Sequence, residues 1–198
     1  MKTEIEVKFC DIDIDAMREI LARAGAVCEE PMRLMKRALI EEPHHAAEDS
    51  FLRIRDEGDK VTLTFKRRAN PDQPSIDNTT EIEVIVSSFD DTVELFREAG
   101  WTYKTFQESK RETWKLGTAE VVIDEWPWLP PYIEIEAASE EEVRTAAAAL
   151  GLDWSAADYG HIDAVYQKHY TFADGFRGVI DLKEVRFGDP IPKEFEVE

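Results

Sequence analysis

The chain has 198 residues, 43% hydrophobic and 34% charged, enough for one domain with a sizeable core and a tail. Its formal net charge of −19 disfavours nucleic acid and anionic membrane surfaces as partners, although a sum of charges leaves room for a locally basic cleft. Cys10 and Cys28 are too few for a disulfide scaffold or a Cys-based zinc site, and neither a signal peptide nor an apolar run of transmembrane length is visible, so a cytoplasmic protein is expected.

In chain order, Lys2 to Phe9 alternates. Ile5, Val7 and Phe9 share one side of a predicted strand, and Glu4, Glu6 and Lys8 share the other. A helix follows, capped by Asp13 and stopped by Gly25, with Ile14, Met17, Ile20, Leu21 and Ala24 as its apolar stripe. Met32 to Ile40 reads as a strand and residues 41 to 49 as a solvated loop, His44 and His45 included. Two further alternating segments form a predicted hairpin around Glu57-Gly58-Asp59. Ser50 to Arg55 puts Phe51, Arg53 and Arg55 on one face, and Val61 to Lys66 puts Thr62, Thr64 and Lys66 on one face.

After an irregular connection, Asn70 to Asn78, a second Glu-x-Glu strand carries Glu81 and Glu83, followed by a helix over Asp90 to Gly100. Strands are then expected at Phe106 to Lys115, Ala119 to Asp124 and Tyr132 to Ala137, the last alternating Glu134 and Glu136 against Ile133 and Ile135. Trp126-Pro127-Trp128-Leu129-Pro130-Pro131 is a stiff connection whose tryptophans are expected to pack. A capped helix spans Ser139 to Leu150, another is predicted over Ala156 to Tyr170, and residues 171–198 form a C-terminal arm lying on a domain of residues 1–170. The order strand, helix and three strands occurs twice, which predicts an internal repeat of fold.

Solvated faces chosen at random would mix charge signs along each strand, whereas here some strands carry carboxylates and others Arg or Lys. An antiparallel sheet with its apolar face toward helices can close into a barrel and turn its charged face into a lumen, giving an α+β fold around an eight-stranded antiparallel β-barrel. Carboxylates beside cations in such a lumen imply a ligand, with hard oxygen donors selecting Mg²⁺ or Mn²⁺ and cationic forks selecting phosphate oxygens.

Glu4-Ile5-Glu6-Val7-Lys8 resembles the ExExK signature of the CYTH superfamily, the triphosphate tunnel metalloenzymes. Arg53-x-Arg55, Lys66, Glu81-x-Glu83, Lys110-Arg111, Asp124 and Glu134-x-Glu136 follow in the family's order over about residues 1 to 137. The resemblance implies metal held by Glu4, Glu6, Asp124, Glu134 and Glu136, and phosphates bound by Arg53, Arg55, Lys66, Lys110 and Arg111. Of the last two, only one can face the lumen of a regular strand. It also implies a substrate-side role for Glu81 and Glu83, and Lys8 as phosphate anchor or activator of the nucleophile. The chain departs from many relatives on the second strand, where an Asp and Tyr pair gives way to Arg37-Ala38-Leu39-Ile40.

The activity so implied is metal-dependent hydrolysis of a triphosphate such as tripolyphosphate, thiamine triphosphate or ATP. The alternatives are the class IV adenylyl cyclase reaction and non-catalytic binding of polyphosphate or a nucleotide. A homodimer is left open.

Overall fold

The computed structural model describes residues 2–68, 79–101 and 103–197, the side chains of residues 2–4, 46, 68, 196 and 197 excepted. Its first half runs β1 (Lys2–Phe9), α1 (Ile14–Arg23), β2 (Val27–Ile40), a short α2 (Pro43–Ala47), β3 (Ser50–Asp56) and β4 (Val61–Arg68). The second runs β5 (Thr79–Val86), α3 (Phe89–Glu98), β6 (Thr105–Leu116), β7 (Ala119–Glu125) and β8 (Tyr132–Ala137), then α4 (Glu140–Ala149). The repeat of strand, helix and three strands is therefore present. The expected connection at Asn70 to Asn78 lies outside the described residues.

The strands pair antiparallel in the order β6-β2-β3-β4-β5-β1-β8-β7, and β6 also pairs with β7, from Lys110↔Glu125 to Leu116↔Ala119. The sheet is thus strongly curled, with helices outside, an α+β fold. A continuous barrel is not established around its whole girth. Between β5 and β1 the described ladder holds Lys2↔Glu81, Thr3↔Thr80 and Glu4↔Thr79 alone. Farther along β1, Lys8 exchanges backbone hydrogen bonds with Asp158 instead, at 2.8 and 2.9 Å.

Strand alternation assigns the two faces. Val7, Phe9, Val121, Ile123, Ile133 and Ile135 point outward and are buried beneath Met17 and Leu21 of α1 and Val143, Ala146 and Ala147 of α4. Each helix is stopped at both ends. The Asp13 carboxylate accepts from Ala16 N at 2.8 Å and the Ser139 hydroxyl from Glu142 N at 3.2 Å. At their C-termini Gly25 (φ 82) and Gly151 (φ 70) take the left-handed conformation, letting Ala26 N reach Leu21 O and Leu152 N reach Ala147 O. α3 buries none of its residues fully and leaves Leu95 65% exposed.

Three local expectations change. Residues 41–49 are not a plain loop: α2 forms there and buries His45 edge-on to Phe65 and Trp101, with centroids 6.2 and 5.9 Å away. β2 begins at Val27, earlier than expected, with register shifts between Cys28 and Glu30 and between Glu30 and Arg33. The long helix expected over Ala156 to Tyr170 is a 3-10 turn, Trp154–Ala156, and a short α5, Ile162–Tyr166. It is interrupted because Asp158 spends its backbone N–H and C=O on Lys8, which holds that segment extended.

Residues 171 onward lie on the body. β9 (Tyr170–Phe172) pairs with β11 (Phe195–Val197), and β10 (Glu184–Val185) adds to β6 in parallel. Phe195 and Val185 share a second core with Trp126, Tyr132, Val165, Tyr166 and Val179. Lys104 joins Glu41 and Asp181, each at 2.8 Å, and Arg177 also reaches Glu41 at 2.8 Å, so ion pairs fasten the arm as well. No helix among the described residues is long and apolar enough to cross a membrane.

Phe195 stacks on Phe172 at 5.0 Å and meets Tyr170 at 5.1 Å and Tyr166 at 5.4 Å. Phe195→Ala should cost about 3 kcal/mol, read as a lower urea midpoint together with earlier tryptic cleavage after Lys183 or Arg186. An unchanged midpoint and digest would show that the arm is held without this anchor.

Candidate active site

The inward face of the curled sheet encloses a cavity of about 590 Å³. Among the described residues nine Lys or Arg and ten Asp or Glu line it, so the cavity is nearly balanced inside a molecule of formal net charge −19. Alternation delivers them. Glu6 and Lys8 come from β1, Arg53 and Arg55 from β3, Lys66 from β4, Glu81 and Glu83 from β5, Arg111 from β6, and Glu134 and Glu136 from β8.

Two cations knit the acidic wall. Lys8 Nζ stands 2.8 Å from Glu6 Oε1 and 2.9 Å from Glu134 Oε2. Arg111 grips Asp124 with both arms of its fork, Nε to Oδ1 at 2.8 Å and Nη2 to Oδ2 at 2.6 Å, and touches Glu134 at 3.4 Å. Burial alone would lower the pKa values of Lys8 and Arg111, but the carboxylates outweigh it and hold both cations charged, above their ordinary values. Burial alone would likewise raise the Glu134 pKa, but Lys8 and Arg111 overcome this and bring it to about 2.

The wall formed by β3, β4 and β5 repeats the pairing of cations with carboxylates. Arg53 Nη2 approaches Glu83 Oε2 at 3.7 Å and donates to Thr64 Oγ1 at 3.3 Å, while that hydroxyl donates to Glu83 at 2.8 Å. Lys66 lies 3.5 Å from Glu81, and Arg55 2.8 Å from Glu57. Burial pushes the Glu57 carboxyl up, but Arg55 and Lys60 outweigh it and leave its pKa lowered.

The cavity therefore gathers Glu6, Lys8, Arg53, Arg55, Lys66, Glu81, Glu83, Arg111, Asp124, Glu134 and Glu136 from the residues expected by sequence. Lys110 is corrected. It faces outward, its side chain 39% exposed, 3.6 Å from Glu125 and with Nζ 4.6 Å from the Phe187 ring centroid. Arg111 takes the inward position because β6 is regular here, Lys110 pairing with Glu125 and Arg111 with Asp124. The side chain of Glu4 lies outside the described residues.

Sequence reasoning passed over Arg33, Arg37, Glu57, Lys115 and Glu120, all of which line the cavity. Arg33 and Arg37 share the inward face of β2 with Met35 and Leu39, a mixed face that hides the alternation of charge. Glu120 stands in register with Glu136, and Glu136 with Glu6, three carboxylates across neighbouring strands. Burial, reinforced by Glu136 and Glu134 and opposed by Arg111, raises the Glu120 pKa.

As donors for a divalent ion, Glu6, Glu134 and Glu136 have the right chemistry, hard oxygens on adjacent strands facing one cavity. Among the described residues no three His, Cys, Asp or Glu side chains already converge on one point. Lys8 holds Glu6 and Glu134, and Arg111 holds Asp124, so binding a metal would exchange these ion pairs for metal–oxygen contacts.

A family model described as the CYTH domain matches residues 2–153. Similar solved structures include a Pyrococcus horikoshii protein, 20% identical with a TM-score of 0.66 over 82% of this chain and 98% of that one. A candidate adenylate cyclase from Vibrio parahaemolyticus is 11% identical, with a TM-score of 0.70 over 84% of this chain and 98% of its own. A candidate adenylyl cyclase from Hippeastrum, described as revealing a dominant triphosphatase activity, is 16% identical, with a TM-score of 0.56 over 83% of this chain and 95% of that one. At such identities the likeness is one of fold. A comparison with curated proteins gives no match.

The Glu134 contacts predict an acid response of defined sign. Its folded pKa, about 2, lies below its ordinary value of 4.5, so its contribution to stability is complete above about pH 4.5 and is lost as pH falls toward 2. The urea midpoint of Glu134→Gln should therefore trail that of the unaltered protein clearly at pH 7 and approach it by pH 3. A gap of constant size across this range would contradict the assignment.

Proposed function

The chain belongs to the CYTH family, and from that premise we propose that it is a divalent-metal-dependent enzyme that hydrolyses a phosphoanhydride of a triphosphate seated in the curled sheet as in a tunnel. One observation carries the reading: among the described residues of an acidic chain, nine Lys and Arg are turned into a single cavity, among carboxylates on neighbouring strands. A ligand that is anionic and also brings metal answers both halves of that set.

In this reading Arg53, Arg55, Lys66 and Arg111 take the phosphate oxygens, since guanidinium forks donate in pairs and no basic group there accepts a hydrogen bond. Glu6, Glu134 and Glu136, with Glu4 on the same strand as Glu6 and Asp124 beside Arg111, would hold Mg²⁺ or Mn²⁺. Bound there, the metal supplies charge neutralisation at the phosphoryl oxygens and a lowered pKa for an attacking water. Lys8, kept protonated by Glu6 and Glu134, acts as a positioned cation that stabilises charge developing on the transferred phosphoryl group. Glu81 and Glu83 steady Lys66 and Arg53 until substrate displaces those contacts. Hydrolysis is the leading reaction because it requires a seat for the triphosphate and a water, whereas cyclisation of ATP also requires a seat for the nucleoside.

The test is to incubate the protein with tripolyphosphate, thiamine triphosphate or ATP and Mg²⁺ or Mn²⁺, measuring phosphate, pyrophosphate and cyclic AMP. Phosphate release that stops on chelation of the metal is expected. Glu6→Gln and Arg55→Ala should each lower kcat/KM at least about tenfold, while outward-facing Lys110→Ala should leave it unchanged. No turnover of any substrate would overturn the proposal, and cyclic AMP with pyrophosphate from ATP would replace hydrolysis by cyclisation.

A further inference from the structure

Arg37 takes part in none of the ion pairs described around the cavity. It lines the cavity from β2, and no carboxylate lies within ion-pair distance of it among the described residues. Its polar partner is neutral: Nε donates to Gln107 Oε1 at 2.7 Å. The guanidinium lies over the Trp126 ring, 4.2 Å from the centroid. The amide of Gln107 cannot turn away, because its Nε2 donates to Val179 O of the C-terminal arm at 3.0 Å. The arm-side carboxylate facing this end, Asp163, is committed elsewhere, accepting from Val179 N at 2.7 Å and meeting His161 Nδ1 at 3.2 Å.

Two further observations make this an incomplete arrangement. Arg37 is the register partner of Arg55, and both line the cavity, so two guanidinium groups occupy directly opposed positions on adjacent strands. Like charges so placed repel. Arg55 is neutralised by Glu57 at 2.8 Å, and Arg37 by nothing comparable. In addition, Trp126 lines the cavity, and its Nε1 is buried without a hydrogen-bond partner among the described residues. Desolvation, the largest influence on Arg37, pulls its pKa down to about 10, the mark of a cation that lacks its counter-ion.

We propose that Arg37, stacked on the Trp126 ring, is an additional anion seat that takes a phosphate group of the substrate at the arm-covered end of the cavity. A guanidinium only donates, so the ligand must offer several acceptor oxygens and negative charge, which a phosphate group does and a neutral organic group does not. The seat is built jointly by β2, by Trp126 just beyond β7, and by the arm that fixes Gln107. Three phosphates then have cations along the whole cavity, from Arg111 and Lys66 to Arg37.

This inference rests on the proposed triphosphate chemistry, and the test separates the two. Tripolyphosphate is titrated calorimetrically, in the presence of a chelator so that no turnover occurs, into the full-length protein and its Arg37→Met and Arg37→Lys variants. The unaltered protein should bind. Arg37→Met should bind at least about tenfold more weakly, and Arg37→Lys, which keeps the charge but loses the fork, should fall between them. Wild-type affinity in Arg37→Met would overturn the seat while leaving the proposed function standing. If neither binding nor hydrolysis of tripolyphosphate occurs in the unaltered protein, the function fails and the seat with it. Should Arg37→Met not fold, Arg37→Lys decides alone: weaker binding supports the seat, and unchanged binding overturns it.

Discussion

A charge removed from water costs several kcal/mol unless an opposite charge or a hydrogen-bonding partner stands in contact with it, and this fold turns nineteen charged side chains among the described residues toward one space. The pairings around Lys8 and Arg111 are what make that arrangement tolerable. Glu134 touches both cations, so it links β1, β6 and β8 by charge as well as by backbone ladders. Removing either cation would strand buried carboxylates. The same pairings set the character of the site, since a ligand that takes hold of Lys8, Arg111 or their carboxylates must replace contacts already made.

The outer face obeys the opposite rule. Each charged residue on β1 and β8 has apolar neighbours pointing outward, and these supply the surface on which α1 and α4 pack. One alternation therefore builds both the core and the site. A slip of one residue in the pairing of β1 with β8 would carry Glu134 and Glu136 into the apolar layer beneath α4, at a cost far above any gain in the ladder, and this fixes the register.

Much of this was legible because a period of two is readable in any strand whose two faces differ sharply. Glu4 to Lys8, Phe51 to Arg55 and Ile133 to Glu136 show such contrast, and the described side chains among them occupy the faces expected. β2 was harder. Its inward side alternates Arg33, Met35, Arg37 and Leu39, half charged and half apolar, so its contribution surfaces only when neighbouring strands enclose it. Adjacent Lys110 and Arg111 offered two cations for one inward position, and local sequence alone does not choose between them. The arm was unreadable for another reason: β10 spans Glu184–Val185 and is defined by its contact with β6, distant in the chain. The helix expected between Ala156 and Tyr170 failed similarly, because the partner of Asp158 is Lys8.

The Asp158 half of that bridge to Lys8 lies beyond the segment matched by the family model, which stops at residue 153. It occupies the flank of β1 where the described ladder with β5 has ended. A chain cut at the family boundary would keep every strand from β1 to β8 yet leave the Lys8 amide and carbonyl bare along an extended edge. Bare edges of this kind recruit strands from other molecules. The segment after the cavity-lining strands thus finishes the edge of β1 at Lys8, and a chain trimmed to its matched domain would have to leave that edge to water or to another strand.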